Sequence, residues 1–131
     1  MVRLISIGLC TLLLSACVSK SVEQVTPLQI EGLVMNNQTQ MWVSAARLLV
    51  PATGNFVSCG NIPPGSMCST TFPETAYKGN QIEITWSQGG QIHSTGLFVL
   101  QLPADLDETK PAYVRVVISG PGTAGAALFQ R

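Results

Sequence analysis

The sequence is poor in charge, contains a single histidine, and lacks an apolar run long enough to cross a membrane as a helix. Lys and Arg together number seven, Asp and Glu also number seven, and the formal net charge is zero. A balanced charge without a basic cluster argues against a nucleic-acid-binding protein. The main apolar run, at residues 4–14, covers about half of the roughly 20 residues that a spanning helix requires.

The amino-terminal residues nevertheless have the pattern of a secretory signal peptide. Arg3 precedes the apolar run, and the small residues Ser15 and Ala16 follow it, as expected of a signal peptide with its cleavage site. The stretch Leu14-Ser15-Ala16-Cys17 resembles the lipobox of bacterial lipoproteins. The resemblance implies cleavage after residue 16, acylation of the Cys17 thiol by a fatty acid such as palmitate, and acylation of the new amino terminus.

In that family, the residues after the lipid-bearing cysteine influence which membrane the protein reaches. Val18 and Ser19 follow Cys17, and no Asp stands there. The resemblance therefore implies attachment to the outer membrane, with the domain in the periplasm or at the cell surface. Several acyl chains give lasting attachment, whereas a single chain dissociates readily. We expect residues 1–16 to be removed, 17–27 to form a lipid-anchored tether, and 28–131 to form one domain.

The domain has the pattern of an all-β protein. Apolar and polar residues alternate strictly from residue 81 to 87, which predicts a strand with one buried face. About seven such segments, separated by turns every eight to twelve residues, favour an antiparallel β-sandwich of the immunoglobulin-like kind. A small β-barrel is the alternative, and parallel pairing is not expected because no helical segment is left for a crossover. The predicted strands are residues 28–35, 41–50, 55–59, 68–72, 81–87, 92–102 and 113–119, with a further edge strand at 126–129.

Two cysteines remain after Cys10 leaves with the signal peptide and Cys17 is acylated. Cys59 and Cys68 are an even pair in an oxidising compartment, which predicts one disulfide. A Cu(I) site formed by both cysteines, Met67 and His93 is the alternative, since soft sulfur ligands suit that ion. The absence of a Cys-x-x-Cys pair argues against a metal or a redox site, and we expect neither metal nor cofactor.

No motif in the chain marks a catalytic site. The glycines of segment 120–125 match Gly-x-Gly-x-x-Gly, but the six residues that follow cannot supply the helix and acidic strand of a dinucleotide site. The chain has no Gly-x-Ser-x-Gly nucleophile elbow for a Ser-His-Asp site. Glu74 and Glu83 would be the candidate pair of carboxylates for cleaving a sugar bond. The alternative is that both are solvent-exposed charged residues on strand faces. We expect no catalytic residues.

These observations predict a non-catalytic binding or structural role, with a protein of the cell envelope as partner. Sheet edges can dock a partner by strand addition, and Trp42, if exposed, is the candidate interface anchor. Narrower versions are a pilot lipoprotein of a secretion system and an inhibitor of a cell-wall hydrolase. The competing hypothesis is a small-ligand carrier or an enzyme, which requires Glu74, Glu83 or His93 to meet aromatic side chains in a pocket.

Overall fold

The computed structural model describes residues 27–131, and this part of the chain is all-β. Cys17, the predicted signal peptide and all of the predicted tether except Pro27 lie outside the described residues. No helix within 27–131 is long and apolar enough to cross a membrane. The eight strands are β1 (Ile30–Asn37), β2 (Val43–Val50), β3 (Asn55–Ile62), β4 (Met67–Thr70), β5 (Glu83–Gln88), β6 (Gln91–Ser94), β7 (Ala112–Gly120) and β8 (Thr123–Phe129).

The strands form two four-stranded sheets, which confirms the predicted β-sandwich. One sheet has the order β4-β1-β7-β8 and the other has the order β3-β2-β5-β6. Each sheet has two open edges, so the alternative of a closed barrel does not apply. The architecture is that of immunoglobulin domains, while the strand order differs from the ABED and CFG sheets of their constant type.

One strand pair is parallel, although the sequence predicted that no strands would pair in parallel. β1 pairs with β7 in parallel register, from Ile30 opposite Ala112 to Asn37 opposite Ile118. The expectation was wrong because it looked for a helix as the crossover. Here the chain between β1 and β7 passes through the other sheet, and strands make the connection that a parallel pair needs.

Alternating apolar side chains from both sheets fill the core. Trp86 and Ile84 on β5 face inward with Val114 and Val116 on β7, and all four are almost completely buried. On β2 the alternation is interrupted, because the pairing register shifts between Val43 and Ala46. Ala45 lies in this bulge with a φ of 52°, which explains why the periodicity of residues 41–50 is irregular.

The predicted strand at residues 92–102 is too long. β6 ends at Ser94, and a bulge at Gly96, which has a φ of 73°, interrupts the pairing with the residues of β5. Phe98 then forms a bridge with Ile82, and Gln101 forms a parallel bridge with Ala127 of β8. A glycine can adopt such a left-handed φ without strain, and the chain passes from the residues of β5 to β8 only after Phe98.

The loops gather at two ends of the sandwich. The end named here the Trp42 end contains the β1–β2 loop at 38–42, the turn at 63–66 and the hairpin turns at 89–90 and 121–122. Backbone bonds join these parts, from Gln38 N to Ile118 O at 2.9 Å and from Gly65 N to Asn37 O at 2.9 Å. The opposite end, named the Pro27 end, contains the start of the described chain, because β1 begins there.

Candidate functional site

Trp42 lies exposed at the tip of the sandwich. Its side chain is 58% exposed, and that of the preceding Met41 is 48% exposed. Both belong to the loop between β1 and β2, so the apolar surface projects beyond the last paired residues of the sheets. The sequence made Trp42 a candidate interface anchor on the condition that its side chain is exposed. The structure meets that condition.

A buried amide holds the loop that carries Trp42. Asn37, at the end of β1, is completely buried, and its Nδ2 donates to the carbonyl oxygens of Met41 at 2.8 Å and Ile62 at 3.0 Å. Its Oδ1 accepts from the backbone N–H of Thr39 at 3.0 Å and from the Thr39 hydroxyl at 2.6 Å. One side chain thus fixes the loop against the end of β3.

The same loop is held from the core by the side chains of β5. Trp86 Nε1 donates to Gln88 Oε1 at 3.1 Å, and Gln88 Nε2 donates to Thr39 Oγ1 at 2.8 Å. Thr39 Oγ1 also lies 3.0 Å from the carbonyl oxygen of Met41. Buried polar groups stabilise a structure when all of them are paired, and this network is paired throughout. The loop therefore presents Trp42 on a fixed backbone.

Cys59 and Cys68 form the predicted disulfide, with their Cα atoms 6.0 Å apart. Cys59 lies on β3 and Cys68 on β4, which are edge strands of different sheets. The bond therefore joins the two sheets along one side of the sandwich. It also engages both sulfurs of the alternative Cu(I) site, and His93 on β6 lies at the opposite edge of its sheet. The described residues contain no group of three metal-binding side chains.

The three residues on which an enzyme would depend lie in separate places. Glu83 accepts a hydrogen bond from Ser94 on the outer face of β5 and β6. His93, the neighbour of Ser94, faces the other way and packs against Trp86, with ring centroids 5.6 Å apart and ring planes tilted by 35°. Glu74 lies near the β2–β3 turn, where it accepts hydrogen bonds from the side chains of Asn55 at 3.2 Å and Asn80 at 3.3 Å.

Glu74 is held in its charged form by these neighbours. Burial acts to raise the pKa of the Glu74 carboxyl. Hydrogen bonds from the side chains of Thr53, Asn80 and Asn55 outweigh burial and hold the pKa below its ordinary value. Lys78 acts in the same direction. The hydrogen bonds of Glu74 with Asn55 and Asn80 join the β2–β3 turn to the segment that precedes β5.

The glycine-rich segment 120–125 forms the turn between β7 and β8. Gly120 pairs with Thr123, and Gly122 takes a φ of 75°. A strand follows the glycines where a dinucleotide site would require a helix. The structure therefore agrees with the interpretation of this segment as a turn.

An open groove runs beside β8. A groove of about 630 Å³ lies between this strand and the segment 95–101. Glu74, Glu83 and His93 do not line it, and Arg115 is the one charged residue that does. The sequence predicted neither this groove nor the buried amides of Asn37 and Gln88, although the Asn-x-Thr spacing at 37–39 is a known pattern of local side-chain bonding to the backbone.

No family model matches the chain, and no curated protein is similar to it in sequence. Among solved structures, the NMR structure of a protein from Eubacterium rectale is similar to this chain with a TM-score of 0.47 and 10% sequence identity. The similarity covers 78% of this chain and 88% of that one. A likeness at this level carries no information about function.

Proposed function

We propose that the protein is a lipid-anchored module of the cell envelope that docks onto another envelope protein through the Trp42 loop. The anchor would be Cys17, acylated at the outer membrane as the lipobox implies. The observation that carries the proposal is an exposed Trp on a loop whose backbone is fixed by buried hydrogen bonds. Tryptophan is among the residues that contribute most to protein interfaces, often 2 kcal/mol or more when it fills a pocket.

The position of the loop supports this arrangement. Trp42 lies at one end of the sandwich, and Pro27 lies at the other. The ten residues from Cys17 to Thr26 reach at most about 36 Å when fully extended. A lipid on Cys17 would therefore keep the Pro27 end within about 36 Å of the membrane surface, while Trp42 lies at the end of the sandwich farther from the tether.

The rigidity of the loop also favours binding. Association costs free energy when loops and side chains become ordered at an interface, and a loop that is already ordered avoids much of this cost. Asn37 and Gln88 order the loop before any partner is present. The tip itself is apolar, since it carries Met41 and Trp42, and this supports docking against an apolar pocket over the insertion of a polar loop into the cleft of a cell-wall hydrolase.

A comparison of two equally exposed aromatic residues tests the proposal. Phe56 on β3 is 57% exposed, close to the 58% of Trp42, but lies near the Pro27 end beneath the guanidinium of Arg47, 5.3 Å from the ring centroid. Intact cells carrying wild type, Trp42→Ala, Phe56→Ala or Cys17→Ser would be crosslinked, and complexes of the protein would be isolated from the membranes.

We expect wild type and Phe56→Ala to yield the same stoichiometric complex, Trp42→Ala to lose most of it, and Cys17→Ser to leave the membrane. An equal yield from Trp42→Ala and wild type would contradict docking through this loop. Retention of Cys17→Ser in the membrane would contradict the lipid anchor.

A further inference from the structure

The edge of the sheet formed by β8 is only partly covered. β8 pairs with β7 along its whole length, from Phe129 opposite Tyr113 to Thr123 opposite Gly120. On its other side, the described hydrogen bonds include one to this strand, from Leu128 N–H to the carbonyl oxygen of Gln101 at 2.9 Å. The amino-terminal half of the strand is therefore left without a neighbour.

The pairing pattern identifies which backbone groups are free. Residues of an antiparallel pair alternate between bonding to the partner strand and pointing away from it. Leu128 points away from β7, toward Gln101, so Ala126 and Ala124 point the same way. The C=O of Ala126 takes part in the parallel bridge with Gln101, whereas the N–H of Ala126 and both backbone groups of Ala124 face the groove and have no backbone partner among the described residues. Such groups are a template for an added strand.

Segment 98–101 of the chain itself pairs with β8 at one position only. Gln101 lies beside Ala127 in a parallel bridge, but Phe98 is bonded in both directions to Ile82 of the other sheet. The segment 98–101 therefore diverges from β8, and the groove occupies the space between them. Phe98 and Val99 form an apolar wall on one side of it.

Arg115 gives the groove its charge. Its guanidinium carbon lies 4.2 Å from the centroid of the Phe129 ring, a stacked arrangement that leaves the N–H groups of the guanidinium available at its rim. No side-chain hydrogen bond within the described residues uses them. Since the other lining residues are uncharged, the groove complements a segment with a negative charge.

We infer that the groove binds an extended, acidic peptide segment, which adds to β8 as a further strand. Ala124 and the N–H of Ala126 would bond to its backbone, Phe98 and Val99 would contact its apolar side chains, and Arg115 would pair with an Asp or Glu. The inference rests on the proposed docking function, because it names the kind of segment that the partner contributes. Strand addition of this type obtains affinity from backbone bonds and specificity from alternate side chains.

A peptide titration followed by NMR tests the inference. The protein would be residues 17–131 with Cys17→Ser, and the probes would be the peptide Val-Thr-Val-Glu-Val-Thr and its counterpart with Lys in place of Glu. We expect the acidic peptide to shift the amide signals of Ala124 and Ala126 and to bind at least about fivefold more tightly than the Lys peptide, as a charge-assisted hydrogen bond would give.

Two substitutions and one control variant locate the site. Arg115→Gln should remove the preference for the acidic peptide, whereas Arg47→Gln, which removes an exposed arginine stacked on Phe56, should leave it unchanged. Gly125→Val should weaken both peptides, because a Cβ at Gly125 meets no atom within 4 Å and can fill the groove without disturbing the fold. An unchanged preference in Arg115→Gln would overturn the inference.

Other occupants of the edge give different results. Dimerisation through β8 in the absence of peptide, or binding seen only after residues 17–26 are removed, would show that a second copy or the protein's own chain covers the edge. Either result, or no shift at Ala124 and Ala126, would overturn the inference. The proposed function is tested independently, because the crosslinking experiment depends on Trp42 and peptide binding at β8 does not.

Discussion

The side-chain amide of Gln88 donates a hydrogen bond to the hydroxyl of Thr39 at 2.8 Å, which links a central strand of one sheet to the loop that leaves the other. Gln88 is in turn held by Trp86 in the core. The position of the exposed Trp42 is thus set by buried residues of both sheets. Substitutions of these core residues are therefore expected to change the conformation of the Trp42 loop, although the substituted residues lie outside the loop.

Substitution of the buried amide tests this linkage. Asn37→Ala leaves the carbonyl oxygens of Ile62 and Pro63 without the donor that they now have. Unpaired buried groups of this kind cost about 1–3 kcal/mol, so we expect the free energy of unfolding in urea to fall by about 2–3 kcal/mol. The exposed neighbour provides the control, since Gln40→Ala should change it by less than about 0.5 kcal/mol. Equal effects of the two substitutions would show that the network does not stabilise the loop.

Removal of the disulfide should destabilise the sandwich without altering its architecture. Cys59 and Cys68 are nine positions apart, and closing a loop of that size stabilises a protein by roughly 2.5–3 kcal/mol when the entropy of the unfolded chain is the cause. We expect Cys59→Ser combined with Cys68→Ser to lower the unfolding free energy by about that amount, and Ser69→Ala on the same strand to have little effect. Full thermal stability of the double variant would contradict a stabilising role of the bond.

Relief of backbone strain in the β2 bulge should stabilise the protein. Ala45 has a φ of 52° and is exposed, and a left-handed conformation costs a residue other than glycine about 1–2 kcal/mol. Glycine avoids that cost but gains freedom in the unfolded chain, so Ala45→Gly should raise the unfolding free energy by about 0.5 kcal/mol. The buried neighbour should respond in the opposite direction, with Ala46→Gly losing about 1 kcal/mol. Stability measurements that gave both variants the same sign would refute the assignment of strain to Ala45.

The lowered pKa of Glu74 predicts a dependence of stability on acid. A carboxyl whose pKa is lower in the folded state stabilises the fold above its unfolded pKa of about 4.5, and this contribution is lost as the pH falls through the folded-state pKa. Glu74→Gln should therefore reduce stability more at pH 7 than at pH 3, as measured by denaturation at both pH values. In an Asn80→Ala background, which lacks one of the hydrogen bonds, the pH dependence of the Glu74→Gln effect should shrink. A Glu74→Gln effect of equal size at pH 7 and pH 3 would exclude this contribution.

The regular strands of this fold are predictable from alternation, and its irregular parts are not. The sequence predicted β7 to within one residue at each end and predicted the buried face of β5, since their apolar residues alternate without interruption. It overestimated β6, because the sequence shows the glycine at 96 but not which strand the chain pairs with after it. The parallel pair β1–β7 was excluded in error, since a crossover made of strands leaves no helical pattern in the sequence.

The candidate site also has parts that the sequence predicts and parts that it does not. The disulfide could be predicted from cysteine counting, whereas Trp42 was a candidate only on the condition of exposure, because residues 41–50 were predicted as one strand. The hydrogen bonds that fix Trp42 join Asn37 to Gln88 through Thr39, and side chains that are 49 positions apart along the chain, like those of Thr39 and Gln88, meet only after both sheets have formed. The groove beside β8 likewise depends on the path of segment 95–101, which local sequence does not determine.

Site-specific photo-crosslinking at position 42 tests the docking function most directly. A photoreactive phenylalanine analogue would be placed at position 42 or, as the control, at position 56 of the lipidated protein in intact cells, which would then be irradiated. We expect one discrete adduct with an envelope protein from position 42, present at a level comparable to the protein itself, and none from position 56. Equal labelling from both positions, or no adduct from position 42, would contradict docking through the Trp42 loop.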